Sequence, residues 1–322
     1  MGTKINRALN LAARSVRLLA ASSSQGKKWV ETAATVLDQS LTPRDSAPGD
    51  FYGGSYFNAG AKSGTSGYGR YERSSSHADV LVTLLAGQFP LRKTLDVGCA
   101  RGFVVEALVE LGVEAMGCDF SEYAINTAAR GARGRLRWAD LSQRIPWDDG
   151  SFDLVTCFET LEHLPAELSD KAVAELARVS RGYVVASIPS FGPRAPLPSG
   201  WFDGKMRDGA AHQKYATLGA EYDGPIPVED LAVDSAGNPL EGHITIASFR
   251  RWRGVFERAG LVRCEAEEER IYEACKEFNL AGFFDFYVFA KQGVELRPVA
   301  DEVIARRARE VLRPQRSLRE HG

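Results

Sequence analysis

The nine residues TLDVGCARG, from Thr94 to Gly102, constrain the fold more than any other part of the chain. Thr94, Leu95 and Val97 favour an extended strand, and the apolar residues at 103, 104, 105 and 108 recur at helical spacing. The glycines therefore lie at a strand-to-helix junction. Glycine permits a sharp turn there, and the first amides of a helix bind polar ligands. The motif predicts a nucleotide-binding turn.

The spacing of the glycines separates this turn from the pyrophosphate-binding turn of dinucleotide dehydrogenases. The pattern is DxGxxxG, with Ala100 between Gly98 and Gly102, and Phe103 stands where the dehydrogenase turn needs a third glycine. Asp96 precedes the turn and suits a ligand with an ammonium or a sulfonium group better than one with phosphates. A nicotinamide dehydrogenase is therefore the second choice for this fold.

A second acid, Asp119, closes the next apolar run, VEAMGCDF at residues 113–120. A carboxylate at the end of that strand in a doubly wound sheet accepts hydrogen bonds from ribose hydroxyls. The alternative for Asp119 is a cap of the helix that follows, for which Ser121 is the better residue.

A third acid and a fourth strand follow. Asp140 comes after the strand-like run at 135–139, and Leu141 beside it offers an apolar edge for a base. The segment SFDLVTCFETLEHL, residues 151–164, is apolar almost throughout, as a parallel strand buried on both faces requires. Without the other motifs, Asp140 is an ordinary loop acid.

In their order, these motifs resemble those of class I S-adenosylmethionine-dependent methyltransferases. The matching segments are TLDVGCARG, GCDFSEYAI, WADL, SFDLVTCFETLEHL and RGYVVASIP, and the resemblance extends over residues 78–293. It implies an α/β fold with a doubly wound, seven-stranded, mostly parallel sheet. The last strand, from Asp285 to Gln292, is expected to run antiparallel.

The resemblance also implies the cofactor, S-adenosylmethionine, with S-adenosylhomocysteine as the product. It assigns the turn after the first strand to the methionine end, Asp119 to the ribose, and Asp140 with Leu141 to the adenine. The complete set of expected cofactor-binding residues is Asp96, Gly98, Ala100, Gly102, Asp119, Phe120, Asp140, Leu141 and Phe158.

The rest of the chain is expected to be arranged around the methyltransferase domain, residues 77–295. Residues 1–50 form an N-terminal helical extension and residues 296–322 a C-terminal helical tail, which either binds a partner or packs back on the core. Residues 51–76, rich in glycine and aromatic rings, form a flexible cover over the cofactor, and residues 190–242, after the fifth strand, form a lid.

Two of these segments leave alternatives open. The basic amphipathic stretch at residues 1–28 either packs on the catalytic domain or a second subunit, or associates weakly with a membrane surface. In the lid, Trp201, Phe202 and Tyr215 either contact the acceptor or pack a small core of the insertion itself.

Three histidines are candidates for the general base that a hydroxyl acceptor needs. His163 lies in LEHL just beyond the fourth strand, His243 lies at the end of the lid, and His212 lies within the lid. A capping or core-facing role is the alternative for His163. The sequence indicates no metal-ligand set, because its five cysteines form no CxxC pair.

Composition restricts the function further. The net charge of −2 does not favour nucleic-acid binding, and an odd number of cysteines indicates reduced thiols and a cytoplasmic protein. Apolar runs fall short of the roughly 18 residues of a membrane-spanning helix. We expect a small-molecule acceptor, and a homo-oligomer is compatible with the sequence.

Together these features predict a methyltransferase that acts on a polar small molecule, through a hydroxyl of a sugar-bearing or natural-product acceptor. An N-methyltransferase or a protein-directed methyltransferase shares the same motifs. A catalytically inactive scaffold built on the cofactor fold is the alternative from another class, which the intact acidic and glycine positions disfavour.

Overall fold

A computed structural model describes a large part of the chain. All described residues belong to a compact unit, Gly49–Gly322. They are residues 51–63, 66, 68–192, 215, 222–231, 242–278, 280, 284–294 and 302–312. The predicted N-terminal extension at 1–50, and most of the lid, lie outside them.

The core of the unit is a seven-stranded sheet in the order β3-β2-β1-β4-β5-β9-β8. Strand β9 pairs antiparallel with β5 and β8, while the other four pairings are parallel. This arrangement confirms the predicted fold class and the predicted antiparallel last strand. The strands are β1 (Lys93–Val97), β2 (Glu114–Asp119), β3 (Leu136–Trp138), β4 (Phe152–Phe158), β5 (Ser180–Ser187), β8 (Leu261–Arg263) and β9 (Phe286–Lys291).

Helices cover both faces of this sheet. Buried side chains of α2, α3, α7 and α8 form one apolar cluster with the sheet, and those of α5 and α6 form another. The described helices are α1 (Gly54–Ser63), α2 (Ala78–Ala86), α3 (Phe103–Glu110), α4 (Glu122–Asn126), α5 (Ser169–Val179), α6 (Phe249–Arg258), α7 (Glu265–Glu277) and α8 (Glu302–Val311).

The two clusters follow from the alternation of side chains along buried strands. In β9, Phe286 and Val288 join the cluster on the α2 face, whereas Tyr287 and Phe289 join the cluster on the α5 face. A strand with apolar residues on both faces can be buried only in the middle of a sandwich of helices. The apolar runs of the sequence therefore determine the doubly wound architecture.

The C-terminal tail packs back on the core within the described residues. Ala308 and Leu312 at the end of α8 are buried in the same apolar cluster as α2. Among the described helices, none combines the length and the apolar character that a membrane span requires.

The described part of the insertion after β5 has a small core of its own. Phe191 and Tyr215 are buried with Ile226, Leu231 and Ile246 in a separate cluster. Two short strands, β6 (Ser190–Phe191) and β7 (Ala247–Ser248), pair in parallel beside it. Tyr215 thus packs the insertion, while Trp201 and Phe202 lie outside the described residues.

The segment at 51–76 contains the helix α1 and an aromatic cluster. Tyr56 and Phe57 are buried, and the ring of Phe57 stacks on that of Tyr123 in α4 at a centroid distance of 5.8 Å. Arg73 ties the end of the segment to α2 and α3 through ion pairs with Asp79 and Glu110. Aromatic packing and ion pairs therefore anchor this segment beside the turn after β1.

We expect the aromatic stack between α6 and β9 to be a main source of stability. Phe256 is fully buried and stacks on Phe289 at 4.7 Å. Replacing a buried Phe by Ala leaves a cavity, so Phe256→Ala should lower the free energy of unfolding by about 3–5 kcal/mol in urea denaturation.

Arg258→Ala on the same helix is the matched control. Its ion pair with Asp170 is more than half exposed on both sides and should contribute no more than about 1 kcal/mol. Equal losses in the two variants would contradict the packing assigned to Phe256.

Candidate functional site

The turn after β1 has a left-handed backbone at three positions. The φ angles are 74° at Gly98, 47° at Ala100 and 76° at Gly102, and α3 begins at the next residue. A Cβ atom at position 98 would lie 2.0 Å from Oγ1 of Thr160, so only glycine fits there. The amides of Gly98 and Cys99 donate to the carbonyl of Cys118, which joins the turn to the end of β2.

Asp119 at the end of β2 holds the turn from the other side. Its Oδ2 accepts a hydrogen bond from the amide of Ala100 at 2.7 Å, and its Oδ1 accepts one from the amide of Ser121 at 2.8 Å. Burial raises the pKa of the Asp119 carboxyl, and these two amides oppose the rise. A carboxylate has about four lone-pair positions, so Asp119 retains capacity to accept hydrogen bonds from a ligand.

Asp96, in β1, is the second acid at this end of the sheet. Its side chain is 4% exposed, and its Oδ1 accepts a hydrogen bond of 2.7 Å from the hydroxyl of Thr156 in β4. Burial and the nearby charge of Asp119 raise the pKa of Asp96 to about 7, although the Thr156 hydroxyl acts in the opposite direction. Two carboxyl groups therefore face the region around the turn.

The next sequence candidates lie at the ends of β2 and β3. The carbonyl of Phe120 accepts a hydrogen bond from Nε1 of Trp138, and the two rings are 5.7 Å apart. Asp140 is partly buried and accepts a hydrogen bond from the amide of Ser142, while Leu141 is buried. These positions extend the site along the edge formed by the carboxyl ends of the strands.

The chain leaves β4 in an unusual conformation directly beside the turn. Glu159 has a φ of 49°, which costs a residue with a side chain of this size about 1–2 kcal/mol. A short 3-10 turn at Leu161–His163 follows. Phe158, the last residue of β4, is partly buried against the core, and Thr160 contacts Gly98.

Within the described residues, Glu162, His163 and His243 form a group whose potential ligand atoms lie within 4.8 Å of one another. Glu162 is fully buried, and its Oε1 is 3.8 Å from Nε2 of His243. The rings of the two histidines are 5.1 Å apart. We call these three residues the Glu–His–His cluster.

Backbone hydrogen bonds bring the distant His243 into this cluster. The amides of Ile244 and Thr245 both donate to the carbonyl of Glu162 at 2.9 Å, and the hydroxyl of Thr245 donates to the carbonyl of Leu164. The segment after the insertion therefore runs along the 3-10 turn.

His163 has a defined hydrogen-bonding environment. Its Nδ1 lies 3.0 Å from the carbonyl oxygen of Gly242 and 3.1 Å from the hydroxyl of Tyr52. Because a carbonyl only accepts, Nδ1 carries the hydrogen and Nε2 carries the lone pair. Burial lowers the pKa of His163 to about 4, against the opposing effect of the carbonyls of Gly242 and Glu159.

Tyr52 links the cluster to the turn. Its hydroxyl contacts His163, and its carbonyl accepts a hydrogen bond of 2.6 Å from the hydroxyl of Ser121, the residue that caps α4. Burial and the charges of Glu162 and Asp119 raise the pKa of Tyr52, so the phenol stays protonated.

The structure thus brings together two of the three histidines suggested by the sequence, His163 and His243, whereas His212 lies outside the described residues. Thr156 and Glu162 were not among the residues suggested by the sequence. Glu162 had a local signal, since it is an acid directly before His163 in LEHL. Thr156 had no such signal, because a single hydroxyl residue within an apolar strand forms no recognisable sequence pattern.

Comparisons with known proteins find similarity to methyltransferases over part of the chain. Residues 95–186 match a family model described as a methyltransferase domain. The chain is similar to the ubiquinone biosynthesis O-methyltransferase of Methylococcus capsulatus, at 38% identity over 104 residues, 31% of this chain and 41% of the relative. The corresponding enzyme of Bordetella avium is 30% identical over 144 residues, 43% of this chain and 52% of the relative.

The chain therefore spans about half the length, or less, of these curated relatives. Among solved structures, it is similar to magnesium protoporphyrin IX methyltransferase of Synechocystis PCC 6803 with bound SAH. That similarity has a TM-score of 0.41 and 17% identity, and covers 68% of this chain and 84% of the other.

We expect the contact between Gly98 and Thr160 to make position 98 intolerant of any side chain. Gly98→Ala combines a left-handed backbone, at about 1–2 kcal/mol, with overpacking against Thr160, at about 1–3 kcal/mol. Gly112→Ala is the control, because it shares the positive φ and has no atom within 4 Å of the new Cβ. Urea denaturation should show a larger loss for Gly98→Ala, and equal losses would contradict the close approach.

Proposed function

Residues 95–186 belong to the class I S-adenosylmethionine-dependent methyltransferases, and from this premise we propose that the protein methylates a hydroxyl oxygen of a small polar acceptor. S-adenosylmethionine is the methyl donor and S-adenosylhomocysteine the product. The observation that carries the proposal is the contact between the turn after β1 and the 3-10 turn after β4, at Gly98 and Thr160. Through this contact, the turn that we assign to the cofactor lies next to the Glu–His–His cluster.

Several features support S-adenosylmethionine in this site. Asp96 and Asp119 supply negative charge near the turn, which suits a ligand with an ammonium and a sulfonium group. We assign Asp96 and the turn at Gly98, Ala100 and Gly102 to the methionine end, in keeping with the positive φ angles of the turn.

The remaining cofactor assignments follow the edge of the sheet. Asp119, with lone pairs beyond those used by the two backbone amides, would accept the ribose hydroxyls. Phe120, Asp140 and Leu141 would surround the adenine. Phe158, at the end of β4, would close the pocket near the sulfonium.

Methyl transfer from a sulfonium is an in-line displacement, so the enzyme has mainly to hold donor and acceptor close and collinear. That positioning supplies about 7–11 kcal/mol of the barrier reduction through restricted motion. We propose that the cluster, which lies beside the turn, orients the acceptor hydroxyl. Its buried carboxylate and two imidazoles suit an acceptor that loses a proton.

An oxygen acceptor is favoured over nitrogen by the similarity to ubiquinone biosynthesis O-methyltransferases. We propose a hydroxylated acceptor of the sugar-bearing or natural-product kind, which the insertion after β5 would help to recognise. A cytoplasmic site of action fits the five cysteines, which are all buried and reduced.

We expect purified protein to bind S-adenosylmethionine in calorimetry and to transfer a radiolabelled methyl group to hydroxylated acceptors. Asp119→Asn should weaken cofactor binding at least about tenfold, because an amide loses charge and part of the hydrogen-bonding capacity. The readouts are the cofactor Kd and the label in the extracted product. A panel of phenols, sugars and amines distinguishes O-methylation from N-methylation.

Asp153→Asn serves as the control for Asp119→Asn. Asp153 also accepts a backbone amide, that of Lys93, and pairs with Arg181 at the opposite end of the strands. The Asp153→Asn variant should keep the cofactor Kd within about twofold of the value for the unmodified protein. Folded protein that does not bind the cofactor would refute the methyltransferase proposal and favour a scaffold.

Cofactor binding should also depend on pH through Asp96. Its pKa of about 7 means that the cofactor-free site is largely protonated at pH 6, whereas the ammonium of the cofactor pairs with the carboxylate. Binding then strengthens as pH rises, and the Kd should fall about eightfold between pH 6 and pH 7.5. Calorimetry in buffers of different ionisation heat should detect proton release below pH 7, and a flat profile would contradict this role for Asp96.

A further inference from the structure

We infer that the Glu–His–His cluster is a binding site for one divalent transition-metal ion, of the zinc type, in contact with the acceptor hydroxyl. The role in methyl transfer rests on the proposed function, whereas the metal site itself rests on the structure alone. Glu162, His163 and His243 supply one carboxylate oxygen and two imidazole nitrogens.

The ligand atoms are close enough for one ion. They lie within 4.8 Å of one another, and the carboxylate oxygen is 3.8 Å from Nε2 of His243. Two ligands of a tetrahedral zinc ion at about 2.0–2.1 Å are separated by about 3.4 Å. Small rotations of the three side chains therefore bring them to ligating distance.

The surroundings of His163 are a second, independent indication. Metal-binding histidines donate the hydrogen of their other ring nitrogen to a carbonyl, a carboxylate or a water molecule, which directs the lone pair to the metal. Here Nδ1 of His163 donates to the carbonyl of Gly242, and the hydroxyl oxygen of Tyr52 lies beside the same nitrogen. We assign Nε2, which carries the lone pair, as the ligand atom.

Position 242 is shaped for this contact. A Cβ atom there would lie 3.1 Å from Nδ1 of His163 and 2.9 Å from Cε1 of Phe51, and the backbone has a φ of 79°. Glycine thus lets the carbonyl approach the imidazole. The same segment continues to His243, and its next two amides bind the carbonyl of Glu162.

The donor set favours one class of ion. Two imidazoles and a single carboxylate suit zinc and its first-row neighbours, whereas magnesium takes oxygen ligands and retains its waters. Three protein ligands leave a coordination position open, as in catalytic zinc sites. A hydroxyl oxygen of the acceptor fits that position.

The ion would then activate the acceptor as a Lewis acid. The hydroxyl oxygen coordinates the ion, and its proton passes to solvent water. That oxygen forms the new bond to the methyl carbon while the bond from carbon to sulfur breaks. The electron pair stays on sulfur, which yields S-adenosylhomocysteine, and the methylated product leaves the ion.

The test is metal binding by the untagged, full-length protein after removal of metals with a chelator. Zinc content is measured by mass spectrometry after equilibration and dialysis, and cobalt(II) is titrated as a spectroscopic probe. We expect about one zinc per chain, and a visible cobalt spectrum typical of four or five nitrogen and oxygen ligands.

Glu162→Gln, His163→Gln and His243→Gln should each weaken zinc binding by more than the roughly 10- to 100-fold that loss of an outer hydrogen-bond partner costs. His77→Asn is the matched control, because His77 lies at the start of α2 with a φ of 55°, which asparagine tolerates. It should leave the zinc Kd within about twofold. Circular dichroism checks folding, and if a variant unfolds, the cobalt spectrum of the unmodified chain decides.

The possible failures are distinguishable. Absence of zinc and cobalt binding, or binding unchanged in all three variants, would overturn the metal site while S-adenosylmethionine binding still upholds the proposed function. Methyl transfer that survives chelation but is lost in the histidine variants would overturn the metal in favour of a histidine base. Zinc binding without S-adenosylmethionine binding would support the site and refute the proposed function.

Discussion

The two hydrogen bonds that Asp119 accepts from the amides of Ala100 and Ser121 organise the end of the sheet at which the described candidate residues meet. They join the turn after β1 to the start of α4, and the hydroxyl of Ser121 then binds the carbonyl of Tyr52. One buried carboxylate therefore connects the turn after β1 to the segment at 51–76. The burial of this carboxylate strengthens the two hydrogen bonds. Its remaining lone pairs can accept hydrogen bonds from a ligand.

The Glu–His–His cluster depends on a different kind of interaction, the return of the chain after a long insertion. Backbone amides at 244 and 245 bind the carbonyl of Glu162, and this contact fixes His243 against Glu162 and His163. The end of the insertion after β5 is thus anchored to the 3-10 turn, which lies beside the turn after β1. Acceptor recognition and acceptor activation would share one structural support.

Much of the fold could be predicted from the sequence, because its signals are local. TLDVGCARG contains the strand, the turn and the helix start in nine residues, and apolar runs such as FYVFAK in β9 reveal strands buried on both faces. The cap of α6 is equally local, since the hydroxyl of Ser248 accepts a hydrogen bond from the amide of Arg251 three residues later. The partnership of Asp96 with Thr156 was not, since it joins residues sixty positions apart on neighbouring strands.

The sequence by itself determined the succession of strands, the glycine turn and the acids at successive strand ends. Each of these depends on a periodicity or a backbone conformation within a few residues. Only the tertiary structure decided which histidines meet, that Glu162 faces His243, and that Gly242 orients His163. Those contacts join segments about eighty residues apart in the chain. Their geometry depends on the packing of the whole sheet, which no local pattern encodes.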